Sequence, residues 1–219
     1  MRFRPTQPPS EANLLPTRGY QQEMLEESLQ RNIIIALDTG SGKTHIAVLR
    51  MKHQCESRNE RVRMTWNTMQ FLFFILLLQL SWFLAPTVSL CKQQRNVIAA
   101  ALPVSVGLIS GANEPDQWKD QRLWRTVLST HRIMVSTPQV LLDALRHGYV
   151  NLGRDISLLI FDEAHHAVDK NPYNQIMREF YFRIPLDQSG SSSAEYVRPD
   201  ILGLTASPVF GGNVGIAFQ

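Results

Sequence analysis

Only two cysteines, Cys55 and Cys91, occur among the 219 residues. They stand in no metal-ligand spacing and are too few for a disulfide framework, which excludes a small stapled scaffold and makes a reducing compartment the expectation. Charge of one sign is also scarce. The net charge of +3 suits a nucleic-acid backbone as partner but does not demand one. No apolar run follows the charged start Met1-Arg2-Phe3-Arg4-Pro5, so a signal peptide is not expected and a cytoplasmic or nuclear site is. Residues 1–14, proline-rich and poor in apolar side chains, read as a flexible leader, and 215–219 as a short tail. What the chain does have is 44% hydrophobic residues, enough for one α/β domain and few for two.

One absence is local. Between Met64 and Cys91 there is no charged residue, and Phe71-Leu72-Phe73-Phe74-Ile75-Leu76-Leu77-Leu78-Gln79-Leu80 is long enough in apolar matter to suggest a membrane span. The same window holds Phe83 to Thr87, which reads as a sheet strand and its following turn, and a strand cannot also lie in lipid. Residues 63–80 are therefore expected to be foreign to the fold, most simply a translated, unspliced intron. A membrane anchor and a buried extra helix are the alternatives, and stable membrane association is not expected.

The richest signal is Leu37-Asp38-Thr39-Gly40-Ser41-Gly42-Lys43-Thr44, which follows the apolar run Ile33-Ile34-Ile35-Ala36 and precedes a helical stretch. Strand, glycine-rich turn, Lys-Thr and helix make a phosphate cradle, because backbone N–H groups converge where the helix dipole favours negative charge. In this reading Thr39, Gly40, Ser41 and Gly42 wrap a polyphosphate, Lys43 reaches the β and γ phosphates, and the Thr44 hydroxyl ligates Mg²⁺. Leu37 stands where the general phosphate-loop pattern has its first glycine.

A second nearly continuous apolar run, Ile156-Ser157-Leu158-Leu159-Ile160-Phe161, has the character of a strand buried on both faces of a parallel sheet. It ends in Asp162-Glu163-Ala164-His165. Ligands of open α/β sheets collect at carboxyl ends of strands, so these acids face the same nucleotide. Asp162 is expected to hold Mg²⁺, Glu163 to orient and deprotonate the attacking water, and His165 to relay the γ-phosphate state.

Further phrases complete a pattern: Arg18-x-Tyr20-Gln21-x-Glu23, Trp82-Phe83-Leu84-Ala85-Pro86-Thr87-Val88-x-Leu90-Cys91, Val135-Ser136-Thr137-Pro138, and Leu202-Gly203-Leu204-Thr205-Ala206-Ser207-Pro208. In this order they resemble the motifs of the first RecA-like domain of superfamily 2 helicases, in the RIG-I-like and Dicer branch. More narrowly they resemble the N-terminal helicase domain of fungal Dicer-like proteins, and this superfamily commonly lacks the glycine that Leu37 replaces. The resemblance implies that Gln21 recognises adenine and that Thr205 and Ser207 couple nucleotide state to domain closure. It also implies that Pro86, Thr87, Gly111, Thr137 and Pro138 face RNA phosphates, so double-stranded RNA binding should be independent of base sequence. A DEAH-type or RIG-I-like helicase fragment, or a non-catalytic mis-spliced product, is the runner-up.

The pattern predicts helices at 19–31, 43–55, 88–101, 115–128, 138–146 and 172–182. It predicts strands at 32–37, 82–85, 104–109, 132–136, 156–161 and 200–204. Such alternation means an α/β domain, a parallel sheet with helices on both faces, here a RecA-like phosphate-loop domain over 15–214. Residues 188–194 read as a polar loop. Superfamily 2 enzymes close their ATP site with a second RecA-like domain, of which these residues show no signature. No ribonuclease III signature is seen either, so the chain alone is expected to bind ATP·Mg²⁺ weakly and to turn over little.

Overall fold

The computed structural model describes residues 16–65, 79–110, 121–185 and 196–206. Gly111, Ser207, the leader, residues 66–78, the 188–194 loop and the tail lie outside the described residues. Short β-rich apolar runs form six strands: β1 (Ile33–Ala36), β2 (Leu80–Leu84), β3 (Val106–Ile109), β4 (Ile133–Ser136), β5 (Ile156–Phe161) and β6 (Asp200–Thr205). They pair in the order β1-β6-β5-β2-β4-β3, and every pairing is parallel. The helices are α1 (Gly19–Gln30), α2 (Lys43–Thr65), α3 (Val88–Ala101), α4 (Gln121–Thr130), α5 (Pro138–Arg146), α6 (Leu152–Asp155) and α7 (Pro172–Glu179). This is the expected architecture, with α3, α5 and β5 matching the predicted bounds residue for residue.

A strand covered on both sides sends alternate residues to opposite cores. Trp82 and Leu84 point into one cluster, with Trp124 of α4, Leu141 of α5 and Tyr173 and Ile176 of α7. Phe83 points into the other, with Ile46 and Met51 of α2 and Cys91 and Ile98 of α3. The two layers are therefore α1–α3 on one face and α4–α7 on the other.

Two departures bear on the apolar window. Helix α2 runs to Thr65, well past the expected end at residue 55. Strand β2 begins at Leu80, which is buried and pairs with Ile156 across a register shift between Leu80 and Ser81. The boundary drawn at Leu80 thus falls one residue inside the central sheet, because an unbroken apolar run gives no mark where a strand begins. Residues 80–84 sit at the centre of that sheet. Among the described residues no helix is long and apolar enough to cross a membrane.

Candidate nucleotide site

The order of strands brings the two motifs together. Strand β6 lies between β1, which leads into the phosphate loop, and β5, which leads into the acids. The Leu37 N–H donates to the Thr205 carbonyl at 3.1 Å, so the loop starts from the end of β6. The Asp162 N–H donates to the Leu84 carbonyl at 2.8 Å, so the acidic turn starts from the end of β2. All these groups stand at one carboxyl edge of the sheet, where such folds bind ligands.

The loop itself is tight. Gly40 and Gly42 adopt φ of +84° and +88°, a region L side chains rarely enter. At Gly42 a Cβ would lie 2.5 Å from Gln21 Nε2, so the missing side chain is what lets α1 close on the loop. Gln21 is buried, and its Nε2 donates to the Ser41 carbonyl at 3.2 Å while the Arg18 N–H donates to its Oε1 at 3.0 Å. The Tyr20 hydroxyl donates to the same Ser41 carbonyl at 2.6 Å. Ser41 bonds back to the Asp38 carbonyl through its N–H at 3.2 Å and its hydroxyl at 2.6 Å. Lys43 Nζ donates to the Leu37 and Asp38 carbonyls at 2.7 and 3.1 Å, which folds its ammonium over the loop. Thr39 and Gly40 are exposed at the tip, and Thr44 is half-buried in the first turn of α2.

On the opposite wall Asp162 is buried. Its Oδ1 accepts the Glu163 N–H at 3.1 Å and its Oδ2 accepts from Gln94 Nε2 at 3.3 Å. Burial, and then the neighbouring charge of Glu163, push its carboxyl up to about 6, while the Lys43 ammonium acts in the opposite sense. That opposing effect of Lys43 places the two motifs within electrostatic reach of each other. Glu163 adopts φ 51° and ψ 50°, a left-handed conformation uncommon for a residue with a side chain. The His165 Nδ1 lies 3.0 Å from the Thr205 hydroxyl and 3.3 Å from Glu163 Oε2. His165, Thr205 and Glu163 thus meet at the end of β6.

The groups placed at RNA divide. Thr87 is exposed and caps α3, its Oγ1 accepting the Leu90 N–H at 3.2 Å; Pro86 beside it is half-buried. Thr137 is half-buried, and the Ser136 hydroxyl, which receives Trp82 Nε1 at 2.9 Å, donates to its carbonyl at 3.0 Å. Pro138 is buried as the first residue of α5, where its fixed φ starts a helix.

Two residues at the site went unnoticed in the sequence. Tyr173 is fully buried, its hydroxyl 2.7 Å from the Asp162 carbonyl and 3.2 Å from the Leu84 carbonyl, bridging the ends of β5 and β2. Gln94 belongs to the buried face of α3 with Cys91 and Ile98, and it alone of the three is a hydrogen-bonding amide. A clue existed for Gln94, which lies two helical turns after Thr87. Nothing local marks Tyr173, because only the fold brings α7 beneath the acidic turn.

The donors suit magnesium. Among the described residues no cluster of three or more His, Cys, Asp or Glu side chains fits a dedicated metal cage. A hydroxyl (Thr44) and a carboxylate (Asp162) are hard oxygen donors of the kind that hydrated Mg²⁺ takes alongside nucleotide phosphates.

Fold and site together define a phosphate-loop nucleotide-binding domain of RecA-like architecture. The family model described as DEAD/DEAH box helicase matches residues 18–209, and the chain belongs to that family. It is 46% identical over 197 residues to Dicer-like protein 2 of Neosartorya fischeri, covering 90% of this chain and 12% of that protein. It is 43% identical over 202 residues to Dicer-like protein 2 of Cryphonectria parasitica, covering 92% of this chain and again 12% of the relative. The helicase domain of Hef from Pyrococcus furiosus superposes with a TM-score of 0.63 at 26% identity, covering 88% of this chain and 34% of that one. The chain thus corresponds to the helicase region of Dicer-like proteins and spans about 12% of the length of the curated relatives it matches.

Proposed function

We propose that these residues are the ATP-binding half of a Dicer-like, double-stranded-RNA-dependent ATPase acting in RNA silencing. The observation that carries the reading is the convergence of Gln21, the Gly42 loop, Lys43 and Asp162 at one sheet edge. Gln21 reads the adenine edge, Thr39 to Gly42 wrap the phosphates, Lys43 exchanges loop carbonyls for phosphate oxygens, and Thr44 with Asp162 holds magnesium. The bound metal supplies charge neutralisation of the phosphates. Glu163 orients the attacking water and accepts its proton. The contact of His165 with Thr205 passes nucleotide state to β6 and onward to Ser207.

RNA is held through its backbone by Pro86, Thr87, Gly111 and the Thr137-Pro138 turn, without base readout. A second RecA-like domain completes the cleft and supplies an arginine finger, worth about 10³–10⁵ in rate in related hydrolases. Without such a second domain, a RecA-like half binds nucleotide and turns over little.

Isothermal titration of ATP with MgCl₂ into the chain and into Lys43→Ala tests the nucleotide reading. Binding by the parent and its loss in the variant is the expected result. Equal heats from both would overturn the assignment of the loop. A duplex RNA titrated at several salt concentrations tests the second reading. It should bind with falling affinity as salt rises and without preference among unrelated sequences.

A further inference from the structure

Gln94 carries an atom that the folded chain leaves unused. The residue is 7% exposed, and among the described residues its Oε1 is a buried polar atom with no hydrogen-bond partner. A buried acceptor without a partner destabilises the fold, and a leucine would fill the same face of α3 without that cost. The other end of the amide explains the orientation. Nε2 faces the Asp162 carboxylate at 3.3 Å, and turning the amide over would set two oxygens against each other. The amide is thus kept buried with one end unpartnered while its other end holds the carboxylate proposed to ligate magnesium.

We propose that Gln94 is a positioning residue of the metal site. Its amide N–H holds the Asp162 carboxylate in the orientation in which it would meet the hydrated magnesium ion that arrives with the nucleotide. This rests on the nucleotide-binding reading above. Partners that orient a metal's ligands shape its affinity. Because Gln94 sits seven residues along α3 from its cap Thr87, it also ties the helix that begins at the proposed RNA face to the metal carboxylate.

The test is the affinity of the full chain for ATP with MgCl₂ and for ATP with EDTA, alongside Mn²⁺ titration followed by electron paramagnetic resonance. The variants are Gln94→Leu and Gln94→Met. The expected result is a loss of about tenfold in the gain that metal gives to ATP affinity, and a matching loss in Mn²⁺ affinity. Metal-free ATP binding should stay within about twofold. Folded variants with the parent's metal dependence would overturn the proposal, and so would loss of folding in both variants, which would make Gln94 a packing residue. A parent chain that binds neither ATP nor Mn²⁺ would overturn the nucleotide reading itself and the proposal with it.

Discussion

At Asp162 the site runs against stability. Burial raises its carboxyl from 3.8 to about 6, whereas in the unfolded chain it titrates at its ordinary value. Between those values the folded chain binds the extra proton, so stability falls as pH rises through that window. Asp162→Asn removes the buried charge. The variant should be more stable than the parent at pH 7, by up to about 3 kcal/mol at about 1.4 kcal/mol per tenfold, and the gain should vanish below about pH 4. Urea denaturation at several pH values checks this; an equal gain at pH 3 would mean charge is not the cause. Gly42 is constrained twice, by its φ of +88° and by the 2.5 Å that would separate a Cβ from Gln21 Nε2. Gly42→Ala should cost about 1–3 kcal/mol and weaken ATP binding, because relief comes only by displacing Gln21. A thermal melt and an ATP titration of the variant read both effects.

Among the elements, the strongest cross-link lies below the site. Arg50 of α2 reaches the Ser28 carbonyl at 3.3 Å, Gln54 Oε1 at 2.8 Å and Asp200 Oδ2 at 2.6 Å, tying α1, α2 and β6. The Arg50 side chain is 3% exposed and Asp200 56%, so water already screens one partner. Removing Asp200 leaves the guanidinium buried with weaker compensation, whereas Arg50→Met removes the buried charge together with its desolvation cost. Asp200→Ala should therefore cost more than Arg50→Met, about 2 kcal/mol after allowing for Asp200's exposure. Denaturation midpoints decide the order, and the reverse order would show that packing by the arginine stem dominates. The long range of α2 shows how element length escapes local reading. Its sequence turns polar after residue 55 without a glycine or proline to stop it, and the helix continues to Thr65.

For the whole molecule, the open question is the apolar stretch between α2 and β2. We propose that residues 66–79, between the end of α2 and the first residue of β2, are foreign to the fold, and a chain lacking them should keep its cooperative melt and be less prone to associate. Size-exclusion chromatography and thermal denaturation of the two chains settle it. Failure of the shortened chain to fold would make the segment part of the domain.

The sequence by itself determined the layered α/β plan, both nucleotide motifs and the bounds of β5, α3 and α5. Each of these is written locally, in an apolar run of strand length, a glycine turn before Lys-Thr, or a proline or threonine at a helix start. Tertiary structure alone decided that β6 stands between the phosphate loop and the acids, because strand order depends on how crossovers pack and not on any one segment. It likewise brought Gln94 and Tyr173 to Asp162, buried Pro138 and started β2 at Leu80. Those outcomes depend on which atoms meet across the fold, and a pattern of neighbours along the chain carries no record of that.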